Sequence, residues 1–234
     1  MFYPFFLKED VKVKILITGT YQGIGKHLYE RLSLTHDVYG IDQYKSDTVD
    51  IIHDLNELET LTNRLKDLKD FDALIHNAAS IKSEPFLDLK LETIQKVLNV
   101  NTLAAVKLSQ WFVKQKPKGD GRIIFMSSTR AKMSEADTVP YTLSKSAIEG
   151  LTHSLAITLS PYHVTVNAIA PGWINTSGET LREEDHSFHP SLRVGKVEDI
   201  YQAVQYLLSH DNRFINGTVI TVDGGVSKKM IYPE

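Results

Sequence analysis

The run Val13-Lys14-Ile15-Leu16-Ile17-Thr18 passes without a linker into Gly19-Thr20-Tyr21-Gln22-Gly23-Ile24-Gly25. A short run of β-branched and aliphatic residues is the pattern of a buried strand. Beyond the glycines the period changes: Ile24, Leu28 and Leu32 recur every four residues, one face of a helix over 24–34. A strand that feeds a helix through a glycine turn leaves few folds open. The glycines let backbone N–H groups and the helix N-terminus approach a pyrophosphate, where a Cβ would stand in the way. Gly19, Tyr21, Gln22, Gly23, Ile24 and Gly25 are therefore candidates for holding a dinucleotide.

The alternation continues along the chain. Asp37-Val38-Tyr39-Gly40-Ile41-Asp42 reads as a second strand and ends on a carboxylate about twenty residues past the turn. A carboxylate there accepts both adenosine ribose hydroxyls and repels a 2′-phosphate, which points to NAD. Residues 49–53 supply a third strand, and only twelve residues separate Asp42 from Asp54, too few for a full helix. Asp54 leads a helical stretch over 55–68 and is placed to cap it. Residues 71–75 form a fourth strand that runs into His76-Asn77-Ala78-Ala79, and 89–115 reads as one long helix containing Asn99-Val100-Asn101. Arg122-Ile123-Ile124-Phe125-Met126 is a fifth strand ending at Ser127-Ser128, followed by an irregular segment, 129–138, that borders the substrate.

Pro140 suits the first turn of a helix running to Pro161, and on it Tyr141 and Lys145 are four residues apart, hence on one face. A free phenol titrates near pH ~10, and a neighbouring ammonium favours the phenolate. The pair is thus a candidate acid/base, although a tyrosine and a lysine at this spacing, taken alone, read first as two solvated residues. Residues 164–170 make a sixth strand ending at Pro171-Gly172-Trp173-Ile174-Asn175-Thr176, 175–192 is a polar stretch without period, 199–209 a final helix, and Thr218–225 a closing strand. Strands alternating with helices predict an α/β fold: a doubly wound parallel sheet with helices on both faces, three layers in all. Gly19, Asp42, Asn77, Ser128 and Pro171 then fall at the carboxyl ends of strands, where sites in such sheets lie.

At 234 residues the chain fits a single α/β domain over 1–234. A formal charge of −3 with no basic block argues against a nucleic-acid partner, and the absence of cysteine excludes disulfides and thiolate metal sites. That absence is compatible with a cytoplasmic enzyme. The apolar opening Met1-Phe2-Tyr3-Pro4-Phe5-Phe6-Leu7 is too short for a signal core and meets Lys8-Glu9-Asp10 at once, so 1–11 is expected to be a tail packed on the body or on another subunit. No run is long enough to span a bilayer. His186 and His189 follow three acidic residues but lack a third ligand or a zinc spacing, so no metal is expected.

The glycine turn, Asn77-Ala78, Asn99-Val100-Asn101, Ser128 and the Tyr141/Lys145 pair together resemble the short-chain dehydrogenase/reductase family over 12–225. The resemblance implies a Rossmann-like sheet of about seven strands in the order 3-2-1-4-5-6-7. It implies hydride transfer between NAD and a secondary alcohol or ketone. Tyr141 is then the acid/base, Lys145 lowers its pKa and holds the nicotinamide ribose, Ser128 steadies the substrate oxygen, and Asn101 kinks its helix and anchors a water. The spacing of thirteen residues to Tyr141 favours Ser128, with Ser127 as the alternative. By the same resemblance Asp54 and Leu55 hold the adenine, Asn77, Ala78 and Ala79 line the ribose, and Pro171, Gly172, Ile174 and Thr176 meet the nicotinamide end. His76 and Ala79 depart from the usual Asn-Asn-Ala-Gly. The short link after Asp42 hints at a hydroxysteroid or dihydrodiol substrate, with 175–192 as a lid. A homotetramer is implied, with a dimer as the alternative, built on 89–115 and 141–160. The competing readings are a non-catalytic NAD-binding regulator and an NADP-dependent 3-oxoacyl-carrier-protein reductase.

Overall fold

The computed structural model describes residues 12–115 and 119–230, so the 1–11 tail lies outside the described residues. In chain order it contains β1 (Lys14–Thr18), α1 (Gly23–Leu32), β2 (Asp37–Asp42), β3 (Ile51–Ile52), α2 (Leu58–Arg64), β4 (Ala73–His76), α3 (Leu91–Leu98), a π-helical turn (Asn99–Leu103), α4 (Ala104–Gln115) and β5 (Gly121–Met126). There follow α5 (Val139–Thr158), β6 (Val164–Pro171), β7 (Ile174–Asn175), α6 (Glu183–Ser187), β8 (Gly195–Lys196), α7 (Val197–Leu208) and β9 (Val219–Val222).

Seven strands form one parallel sheet in the order β3-β2-β1-β4-β5-β6-β9. This is the expected 3-2-1-4-5-6-7 order, with β9 as the seventh sheet strand. Every residue of β4 and β5 is buried, as strands covered on both faces must be. Side chains alternate across the sheet. Leu16, Leu74, Ile123, Phe125 and Val166 pack on one side against Leu108 and Phe112 of α4 and Ile148 of α5. Ile15, Ile17, Ile75, Ile124 and Ile169 pack on the other against Leu28 and Leu32 of α1 and Val204 and Leu207 of α7. The three layers follow from these two cores.

Four expectations are corrected in detail. The third strand shrinks from 49–53 to Ile51–Ile52, because Asp50 folds back on β2, its Oδ2 accepting from Gly40 N at 2.7 Å. The helix expected over 55–68 shrinks to Leu58–Arg64: Asp54 Oδ1 accepts from Asn56 N at 2.9 Å and Glu57 N returns to Asp54 O at 2.9 Å, a tight turn that delays the helix and leaves Asp54 outside its cap. The single helix over 89–115 is two helices joined by the π turn. The segment 175–192 is not wholly irregular, since it starts in β7 and contains α6, and β7 pairs in parallel with β8 through Ile174 and Gly195.

Candidate active site

The carboxyl ends of β1, β2, β4, β5 and β6 open into one cleft of about 530 Å³. Gly19, Tyr21, Gln22, Gly23, Ile24, Asp42, Asp54, Leu55, Asn77, Ala78, Ala79, Ser128, Tyr141, Lys145, Pro171, Gly172, Ile174 and Thr176 line it. Gly25 and Asn101 do not: the first is folded against Gly19 and the second is fully buried beneath Ser80.

At the glycine turn the backbone is packed against itself. Gly19 has φ +76°, and a Cβ there would sit 2.7 Å from Ala78 Cα; a Cβ on Gly25 would sit 1.9 Å from Gly19 O. Asn77 Nδ2 locks the turn to β4 by donating to Thr18 O at 3.2 Å and Gly19 O at 3.1 Å. Bare backbone at the N-terminus of α1, facing a cleft, fits a pyrophosphate. At the adjoining end, Asp42 accepts from Tyr21 N at 3.1 Å through Oδ2 and from Tyr44 N at 3.2 Å through Oδ1. These bonds fix the carboxylate while each oxygen keeps a lone pair for a ribose hydroxyl. The Tyr21 and Tyr44 rings lie 5.2 Å apart beside it.

At the opposite end β5 delivers Ser127 and Ser128. Because successive residues face opposite ways, the two hydroxyls part. Ser127 Oγ turns to α5, donating to Lys145 O at 3.4 Å, whereas Ser128 bonds the Tyr141 phenol and accepts from Arg130 N at 3.2 Å. Tyr141 is buried, and that burial pushes its phenol above the usual range, with the Ser128 hydrogen bond and the Arg130 charge pulling the other way.

Lys145 differs from expectation. Its ammonium is 5.5 Å from the centre of the Tyr141 ring but donates to Met126 O at 2.6 Å, and full burial lowers it to about 8. In this structure the cation that favours the phenolate is Arg130, from the 129–138 segment. Its signal was a lone arginine two residues past Ser128. Arg130 pairs with the exposed Glu135.

Asn101 is held on every side. Its Nδ2 donates to Ser80 O at 3.0 Å and Ser144 Oγ at 2.9 Å, and its Oδ1 accepts from Ser80 N at 2.6 Å. Ser144 in turn donates to Tyr141 O at 2.7 Å, so the π turn is tied to the first turn of α5. Thr176 approaches the glycine turn, its side chain 3.6 Å from where a Gly23 Cβ would be. His186 Nδ1 accepts from Val194 N at 3.3 Å and His189 Nδ1 donates to Asp185 O at 2.8 Å, so both rings have partners inside the 175–194 region. Tyr44, Asn56, Ser80 and Ile81 also line the cleft. None has a motif that would mark it in a sequence.

Comparison with known proteins gives a consistent result. The family model described as enoyl-(acyl carrier protein) reductase matches residues 43–227. An uncharacterized oxidoreductase of Thermotoga maritima is 41% identical over 174 residues, covering 70% of this chain and 68% of its own. A 3-oxoacyl-[acyl-carrier-protein] reductase of Buchnera aphidicola is 29% identical over 243 residues, 94% of this chain and 99% of its own. The solved structure of 4-hydroxyisoleucine dehydrogenase complexed with NADH superposes with a TM-score of 0.84 at 28% identity, covering 94% of this chain and 100% of that one. With the seven-stranded parallel sheet and a cleft fitted to a nicotinamide dinucleotide, NAD or NADP, these matches make the chain an oxidoreductase that belongs to the short-chain dehydrogenase/reductase family.

Proposed function

We propose that the chain is an NAD(H)-dependent dehydrogenase/reductase that interconverts a small secondary alcohol and its ketone. The observation that carries this reading is the meeting of Tyr141, Ser128 and Lys145 at one end of a cleft whose other end is closed by the Asp42 carboxylate. Bound NAD supplies the hydride acceptor for alcohol oxidation and, when reduced, the donor for the reverse. The protein supplies position and proton transfer.

In oxidation the Tyr141 oxygen takes the proton of the substrate hydroxyl, and in reduction it returns it. Ser128 donates to the substrate oxygen as charge develops there. Lys145 exchanges the Met126 carbonyl for the ribose hydroxyls of the cofactor and, brought nearer the phenol, lowers its pKa. Asn101 fixes the turn from which a proton-carrying water is held. The glycine turn holds the pyrophosphate, Asp42 the adenosine ribose, Asp54 and Leu55 the adenine, and Ile174 and Thr176 the carboxamide end. We assign the assembly as a homotetramer built on α4 and α5.

Replacing Tyr141 by Phe tests the assignment: turnover of secondary alcohols with NAD falls by about 10²-fold or more, while NADH binding, followed by its fluorescence, stays within threefold. Unchanged turnover in that variant overturns the reading, and binding of NADH without any turnover by the wild-type chain favours a regulator instead. The resemblance to the Buchnera reductase supports a second reading, an NADP-dependent 3-oxoacyl reductase. Tight NADPH binding together with reduction of a 3-oxoacyl thioester would establish it over the first.

A further inference from the structure

His76, at the end of β4, departs from the asparagine usual at that place in the family and is 1% exposed. The bonds around it fix its tautomer. Thr18 Oγ1 accepts from Asn77 N and from Ala78 N, each at 3.1 Å, which occupies both its lone pairs. Its own proton therefore points at the remaining neighbour, His76 Nδ1, 3.1 Å away. Nδ1 is the acceptor and the ring hydrogen is on Nε2. That N–H is directed between Val100 O at 3.1 Å and Asn101 O at 3.3 Å, two carbonyls in or beside the centre of the π turn. Burial, with the Lys145 charge, lowers the imidazole to about 3, so this arrangement persists through the working pH range.

The π turn explains why a donor is needed there. In an α-helix the Ala104 N–H would bond Val100 O, four residues back; here it bonds Asn99 O, five back. Val100 O accepts from His76 in place of that lost helical bond. If the turn reverted to α geometry, one residue's worth of winding, about 100°, would be redistributed between α3 and α4. Asn101 would then swing off Ser80 and Ser144.

We propose that His76 is a positioning residue for the reaction: its Nε2–H holds the π turn open and thereby keeps Asn101 bonded to the segment of α5 that carries Tyr141 and Lys145. This rests on the roles proposed above for those three residues. It runs through one continuous set of bonds, from Thr18 on β1 to His76 on β4, to the π turn, to Ser144 and the Tyr141 carbonyl.

The test compares His76→Leu, which keeps bulk without a donor, with His76→Gln, whose amide nitrogen occupies nearly the place of Nε2. In the Leu variant kcat falls about tenfold or more, the loss expected when a buried carbonyl is orphaned, while Kd for NADH stays within threefold. Backbone amide exchange over 99–105 accelerates while β4 and β5 stay protected. The Gln variant recovers most of kcat and the slow exchange. Should the Leu variant not fold, His76→Met, which fills the site without offering a donor, takes its place with the same expectation. Wild-type kcat and exchange in the Leu or Met variant overturn the proposal, and so does a Gln variant as impaired as Leu. If no alcohol or ketone is turned over by the wild-type chain, the proposed function fails, yet the exchange measurement still decides whether His76 holds the turn.

Discussion

Replacing Lys145 by methionine should make the cofactor-free protein more stable while removing its activity. Lys145 is 2% exposed, and burial lowers its ammonium from 10.5 to about 8. A difference of that size corresponds to about 3 kcal/mol of penalty for keeping the charge inside. Against this stands one charge-assisted hydrogen bond, to Met126 O at 2.6 Å, worth roughly 1.5–3 kcal/mol and lost in the variant. Methionine matches the volume and adapts to the site, so the net gain at pH 7 is about 1 kcal/mol. For a chain of this size that raises the melting temperature by about 2–4 °C. The sign with pH follows from the lowered folded-state pKa. The penalty is complete below about 8 and fades as pH rises toward 10.5, where the unfolded chain also loses the proton. At pH 9.5 only about 1 kcal/mol of it is left, and the folded-state amine, by then neutral, holds Met126 O through an ordinary hydrogen bond of about 1 kcal/mol, so the two proteins draw level. Urea unfolding of both proteins at pH 7 and 9.5, with turnover measured alongside, checks this. A methionine variant less stable than wild type at pH 7, or a difference that does not change between the two pH values, would refute the reasoning.

Three further outcomes are expected. Arg130→Ala removes a cation that pulls the Tyr141 phenol down, so the phenol rises and the acidic limb of the alcohol-oxidation profile, kcat/KM against pH, moves to higher pH; a limb that stays in place contradicts the assignment. Gly25→Ala forces a methyl into a space 1.9 Å from Gly19 O, so NADH affinity should drop about tenfold or more with a loss of at least about 1–3 kcal/mol in denaturant melts; wild-type binding by this variant would show that the turn has room. Asp42→Asn removes the carboxylate that disfavours a 2′-phosphate, and the ratio of NADPH to NADH dissociation constants should fall about tenfold; an unchanged ratio means that cofactor choice is made elsewhere.

Much of the fold was legible residue by residue. The apolar runs of β4 and β5 announce strands covered on both faces, and all ten of their residues are indeed buried. The four-residue spacing of Leu28 and Leu32 announces the helix that seals one face. The glycine turn was legible because its cause is local: positive φ and close backbone approach exclude a Cβ whatever surrounds them. Elsewhere, expectation and structure part. The helix expected over 55–68 lost both ends to turns made by Asp54 and by Leu65 and Leu68, which compete with helix by only small free energies.

The active cleft divides along the same line. Periodicity and the order of strands and helices place Gly19, Asp42, Asn77, Ser128 and Pro171 at one edge of the sheet, because each strand's direction and facing follow from the chain alone. Distances between residues far apart in sequence are not encoded that way. The π turn needs a donor from β4, twenty-four residues before Val100, and nothing in Asn99-Val100-Asn101 announces it. Lys145 shares a helix face with Tyr141, yet its ammonium goes to Met126 O, because β5 brings that carbonyl within reach of the buried side chain. The charge nearest in effect to the phenol comes from Arg130 for the same reason. Covalent geometry and side-chain period act over a few residues and are written into the chain; hydrogen-bond partners, burial and electric field are set by whichever segments packing brings together.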